Sequence, residues 1–80
     1  MADTLSRLTE VFHDVFDDDS IVVTRKTTAA DVEGWDSMMH VTLMMRIEQA
    51  FKLSFRSHEV TGLKNVGELI DVIDRKLGGR

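Results

Sequence analysis

The spacing of the apolar residues restricts this chain more than any other feature. Leu5, Leu8, Phe12 and Val15 recur at helical intervals, with Val11 and Phe16 widening the stripe. Leu43, Met44, Ile47 and Phe51 repeat the pattern, and Val66, Leu69, Ile70, Ile73 and Leu77 repeat it again. Residues three and four apart share one face of a helix, so each set makes a helix apolar on one side. The spacing predicts a first helix over Thr4–Phe16, a second over 37–51 and a last one opening after Asn65. Asp3 or Thr4 can cap the first. Asp17-Asp18-Asp19-Ser20 ends it, because carboxylates are unfavourable at the negative end of a helix dipole. Asn65 with Glu68 three residues later resembles a capping box, Arg75 and Lys76 suit the last turn, and Gly78 closes it. Ser57 can cap a single turn carrying His58, Glu59 and Val60.

One run points the other way. Ile21-Val22-Val23-Thr24 has strand propensity. No second run offers it a partner, and a lone strand leaves its backbone groups unpaired. Residues 17–36 therefore read as a long connection pinned to the core by its apolar residues. The expected fold is all-α: a small helical bundle of three main helices plus a short one, with a long loop between helices 1 and 2. Residues 1–80 are expected to form a single domain. A chain of 80 residues buries only somewhat over ~60% of its unfolded surface, so its core is modest.

Charge and composition exclude several function classes. The net charge is −4, and residues 1–20 hold six acids against Arg7 alone. An acidic chain without a basic stripe is a poor nucleic-acid binder. There is no cysteine, which removes disulfides and thiolate metal sites. The N-terminal residues do not form a signal peptide, and no apolar run approaches the ~20 residues needed to span a bilayer. An EF-hand loop starting at Asp17 needs glycine where Val22 stands. Gly62 and Gly67 have P-loop spacing, but Glu68 occupies the position of the phosphate-binding lysine. His13, His40 and His58 lack paired metal-ligand spacing. Ser37 and His40 are neighbours on one helix, yet a Ser–His nucleophile also needs a group orienting the histidine and an oxyanion hole. So small a domain also offers little room for a substrate pocket.

The second helix carries two apolar stripes. Leu43, Met44, Ile47 and Phe51 form the expected core face. Met38, Val41 and Met45 form another stripe roughly 130° away at the helical period. Thr42, Arg46 and Gln49 lie in the polar sector beyond it. Periodicity is equally consistent with both stripes lying in the core and with the second meeting a partner, a use that suits methionine.

The helix opens at Gly34-Trp35-Asp36-Ser37-Met38. Asp36 and Ser37 are both good helix-start residues. Ser37 is either a plain cap or a hydroxyl held near the positive end of a helix dipole, a natural place for a phosphate. The stretch resembles the attachment motif of acyl carrier proteins and related peptidyl carrier domains: Asp-Ser-Leu at the start of the second helix, preceded by Gly and one variable residue. The resemblance continues through Val41, Leu43, Ile47, Glu48 and Phe51 to Val66, Leu69, Ile70 and Ile73, and spans essentially the whole chain.

That resemblance implies a carrier with no catalytic site of its own. Ser37 would hold a covalent 4′-phosphopantetheine taken from coenzyme A, with Asp36 as the flanking motif residue. The arm's thiol would carry acyl groups as thioesters, which supplies the thiol that a cysteine-free chain lacks. The implied partners are a phosphopantetheinyl transferase and acyl-activating, condensing or acyltransferase enzymes. Met38, Val41, Thr42 and Met45 are the implied partner-binding residues. The expected state is a cytoplasmic monomer that binds neither nucleic acid nor membrane. The family fold also has a long connection between its first two helices. Fatty-acid carriers usually have an acid-rich second helix, whereas residues 38–52 here set Arg46 and Lys52 against Glu48. The string Trp-Asp-Ser-Met-x-His looks more like carriers of dedicated pathways, of polyketide or nonribosomal peptide type. The rival class is an unmodified helical interaction domain that binds another helix through Met38, Val41 and Met45.

Overall fold

A computed structural model describes residues 4–78, so Asp3 as a cap lies outside the described residues. The elements are α1 (Thr4–Phe16), a 3-10 turn (Ala29–Asp31), α2 (Ser37–Phe51), α3 (Ser57–Val60) and α4 (Val66–Gly78). The helices expected from the apolar spacing are all present, and the described residues contain no strand.

The core lies where the stripes meet. Leu8 and Phe12 of α1, Leu43, Ile47 and Phe51 of α2, and Val66, Leu69 and Ile73 of α4 are buried together. Two details of α4 depart from the sequence pattern. Leu77 shares the face of Ile73 but is 38% exposed. Val72 is buried instead, three residues on from Leu69 and therefore beside it on the helix.

The helix ends follow from local chemistry. After α1, Asp17 takes a left-handed conformation (φ 52°) and the Asp18 N–H donates back to the His13 carbonyl at 3.1 Å. After α2, Lys52 does the same (φ 57°), and the Leu53 N–H donates to the Glu48 carbonyl at 3.1 Å. The Glu48 carbonyl also accepts from the Lys52 N–H, so the last turn of α2 closes on a shared acceptor. At α3, Ser57 is the first helical residue and not the cap. The turn is closed by Glu59, whose carboxylate accepts from the Arg56 N–H at 2.7 Å. At α4, the Asn65 side-chain oxygen accepts from the Glu68 N–H at 2.9 Å. The Glu68 carboxylate reaches the Lys64 N–H at 2.9 Å, one residue earlier than a capping box requires.

The strand-like run is not a strand, and its backbone groups find other partners. The half-buried His13 ring donates through Nε2 to the Ile21 carbonyl at 2.8 Å, and the Thr24 N–H donates to the Thr27 hydroxyl at 2.9 Å. Val23 and Val32 enter the core, while Val22, the neighbour of Val23 in the chain, is 79% exposed. The loop then crosses the start of α4. The Val66 N–H donates to the Thr27 carbonyl and the Gly67 N–H to the Arg25 carbonyl, both at 2.8 Å. Loop carbonyls thus satisfy first-turn donors of α4 that have no acceptor within the helix. The long connection is a strap, held at both ends.

Candidate functional site at the start of the second helix

Gly34 has φ +91°, a conformation that glycine adopts at little cost. It turns the chain so that Trp35 lies against α1. The Trp35 ring meets Phe12 edge-on at a centroid distance of 5.3 Å and lies 6.4 Å from Phe16. On its other side it stacks on His40, at 6.0 Å and 14° between planes. The residue two before Ser37 is therefore anchored in an aromatic cluster linking α1 and α2.

Asp36 is the helix cap. Its backbone is extended, and its side-chain oxygen accepts from the Met39 N–H at 2.9 Å. Its carbonyl takes the first helical bond, from the His40 N–H at 2.8 Å. Ser37, the first helical residue, is exposed, and no described group bonds to its hydroxyl. Of the two roles open to Ser37, the structure gives capping to its neighbour. The hydroxyl is left at the positive end of the helix, facing solvent. An exposed hydroxyl with no competing hydrogen bond, beside first-turn N–H groups, fits a covalently held phosphate.

The face beside this junction is apolar and open. Met38 is 81% exposed, Val41 59% and Met45 54%, so the second stripe of α2 lies outside the core. Thr42 is also exposed, its hydroxyl bonded back to the Met38 carbonyl at 3.3 Å. Arg46, on the polar side, is paired with Asp14 of α1. Glu48, the sole acid in residues 38–52, accepts the Phe55 N–H at 2.7 Å and is half-buried. A groove of about 270 Å³ runs between α2 and α3, lined by Val41, Met44, Met45, Phe55 and Val60 among others.

Several other candidate chemistries find no support in the geometry. Both ring nitrogens of His40 are engaged, Nδ1 by the Trp35 indole N–H at 3.1 Å and Nε2 by the Val60 carbonyl at 2.9 Å, so neither serves Ser37. Among the described residues no group of three or more His, Asp or Glu side chains could hold a metal ion, and no helix is long and apolar enough to cross a membrane. The Asp18 carboxyl is held below the usual range by the Ser20 hydroxyl and N–H, which bond it locally. The sequence named Trp35 and His40 but showed no role for either. Their contact spans five positions around a turn, and helical periodicity says nothing about such a contact.

Residues 6–73 match the family described as "Phosphopantetheine attachment site". Over 78 residues the chain is 30% identical to an acyl carrier protein of Phenylobacterium zucineum, covering 98% of this chain and 99% of the relative. It is 29% identical to an acyl carrier protein of Porphyromonas gingivalis over 77 residues, covering 96% and 99%. Its fold is similar to the solution NMR structure of a holo acyl carrier protein from Geobacter metallireducens. The TM-score is 0.87 at 49% identity, over 94% of this chain and 86% of that one. A chain of this kind is a carrier and not a catalyst, and its cofactor is covalently attached phosphopantetheine. An all-helical bundle with a free serine at the start of its second helix, matched along nearly its whole length, belongs to the acyl carrier protein family.

Proposed function

We propose that Ser37 is the attachment serine and that the chain, acting as one domain in the cytoplasm, serves a dedicated biosynthetic pathway of polyketide or nonribosomal type. The observation that carries the first part is the division of labour between Asp36, which caps α2, and Ser37, whose exposed hydroxyl bonds nothing described. Ser37 Oγ attacks the pyrophosphate of coenzyme A on a separate transferase, displacing the adenosine bisphosphate half and losing its proton to that enzyme. When bound, the arm supplies a terminal thiol that holds acyl groups as thioesters. Met38, Val41, Thr42 and Met45 present the face that the transferase and the acyl-handling enzymes recognise, and the groove along α3 begins on that same face.

The pathway assignment is supported by charge. Residues 38–52 offer Arg46, Lys52 and Glu48, and Glu48 is turned toward the Phe55 N–H. A basic docking patch of the kind that recognises an acid-rich helix finds little to attract it here. Intact-mass measurement after incubation with coenzyme A and a broad-specificity phosphopantetheinyl transferase tests the attachment site. One phosphopantetheine adduct is expected on the wild type and none on Ser37→Ala. An adduct on the Ala variant sinks the assignment. Transfer rates with partner enzymes from fatty-acid and from polyketide or nonribosomal systems test the pathway.

A further inference from the structure

His40 reaches in two directions from one position on α2. The Trp35 indole N–H can only donate, so Nδ1 accepts from it, at 3.1 Å. Nε2 then carries the ring proton and donates to the Val60 carbonyl at 2.9 Å. The first bond, with the stacked rings, holds the residue two before Ser37. The second holds the last residue of α3 and so one wall of the α2–α3 groove. Trp35 itself meets Phe12, Phe16 and His40, with no described hydrogen bond or ring contact in α3. Other ties also hold α3: Lys76 of α4 bonds Glu59 at 2.8 Å, Val60 packs against the core, and within the turn the Thr61 N–H bonds the Ser57 carbonyl at 3.1 Å.

We propose that His40 is a positioning residue that couples the Ser37 junction to α3. Displacing Trp35 frees the imidazole, and a freed imidazole releases Val60. Conversely, an α3 that moves away pulls on the side chain that orders the junction. A transferase or synthase that grips the junction therefore meets a surface whose order depends on whether the groove is closed. The kinetic part of this proposal rests on Ser37 being the modified serine; the structural part does not.

The test is a double-mutant cycle read at an amide far from the mutation. Trp35→Phe keeps an aromatic ring against Phe12 and removes the indole N–H. It is expected to speed hydrogen exchange at the Thr61 amide about fivefold, the equilibrium factor of one lost hydrogen bond. In a His40→Ala background the same change is expected to have no further effect on Thr61. If His40→Ala loses the fold by circular dichroism, His40→Asn replaces it; its amide oxygen reaches the place of Nδ1 but not that of Nε2. Equal acceleration in both backgrounds, or none in either, overturns the coupling. In the kinetic arm, Trp35→Phe and His40→Ala are each expected to raise the transferase KM for the carrier about three- to fivefold at unchanged kcat, on the same hydrogen-bond scale. His40→Asn, which keeps the acceptor for Trp35 but loses the donor to Val60, is expected to restore KM only in part. An Asn variant with the wild-type KM overturns the proposal, because the junction would then be indifferent to α3. A wild type that accepts no phosphopantetheine refutes the Ser37 assignment instead, while the exchange cycle still decides the coupling.

Discussion

Gly67 is the position at which two general rules give opposite signs, and the structure says which prevails. It is the second residue of α4, and replacing glycine by alanine inside a helix gains up to ~1 kcal/mol in propensity. A Cβ at Gly67, however, would stand 2.9 Å from the Arg25 carbonyl oxygen and 3.2 Å from the Asn65 side-chain oxygen. The first is backbone, and it already accepts the Gly67 N–H at 2.8 Å. The methyl group must therefore push the strap away and lengthen the bond that holds it. Leaving that N–H in a buried setting without its acceptor costs ~1–3 kcal/mol, and overpacking adds a similar amount unless the loop yields. The strap is a loop and yields, so the bond term at ~2–3 kcal/mol less the ~1 kcal/mol propensity gain leaves Gly67→Ala destabilised by ~1–2 kcal/mol. In a domain of this size that lowers Tm by roughly 5–15 °C. Gly78→Ala is the control, since nothing lies within 4 Å of its Cβ, and it should leave Tm level or slightly raised. Thermal melts by circular dichroism give the sign, and hydrogen exchange gives the place. The Val66 amide, which donates to the Thr27 carbonyl, should lose protection before the core amide of Ile47. A Gly67→Ala variant that melts as high as Gly78→Ala would refute the reasoning, because the strap would then be too loose to register a methyl group.

Other perturbations follow from the same structure. Phe51 is buried and carries the Arg7 guanidinium 4.1 Å over its ring, so Phe51→Ala should cost ~3–5 kcal/mol in a urea titration, and an unchanged midpoint would contradict the core assignment. Asp36→Ala should cost ~1 kcal/mol as a lost cap, whereas Ser37→Ala should be nearly neutral in stability; equal losses would mean that the serine shares the capping. The Arg56 N–H first, and Lys76 second, hold the Glu59 carboxyl below the usual glutamate value of 4.5. A depressed value in the folded state means that the stabilisation is present above the ordinary pKa and is lost as pH falls below it, so Glu59→Gln should flatten the Tm–pH curve in that acidic window; parallel curves would deny the linkage. Met45→Glu should slow transfer by the cognate partner because its carboxylate would be desolvated, while wild-type transfer should change little between 0.1 and 1 M salt, where the Debye length falls from ~10 to ~3 Å. A steep salt dependence with an active Met45→Glu variant would show that charge governs docking.

The helices were legible because each has an apolar stripe and a local reason to stop. α1 runs from Thr4 to Phe16 and gives way to three aspartates, α2 runs to Phe51, and α4 begins after Asn65. What the sequence left open were choices between neighbours of similar chemistry. Asp36 and Ser37 are both good caps, and only the extended backbone at Asp36 shows which one is used. The two stripes of α2 are equally apolar by period. Which one faces outward depends on where α1 and α4 lie, a tertiary fact. Residues 21–24 belong to the connection, as the lack of a partner run implied, and the structure accounts for their strand propensity. β-propensity measures fit to a half-buried extended surface, and a strap pressed on a helical core offers one without any partner strand.

The strap also bears on how a carrier this small holds its serine. One end of residues 17–36 is fixed by α1, whose His13 binds the Ile21 carbonyl, and the middle is fixed by the first turn of α4. The other end is fixed by Trp35, wedged between Phe12 and His40. A loop of such length would ordinarily leave the residue that follows it poorly placed. Here the ties run to α1, α4 and α2, so Ser37 inherits the order of the bundle while its hydroxyl bonds no described group. Those two conditions conflict in most surface serines, since a hydrogen bond that fixes the side chain also occupies its oxygen. Assigning the cap to Asp36 and the anchor to Trp35 separates them: the backbone is held from both sides, and the hydroxyl is left with no described partner.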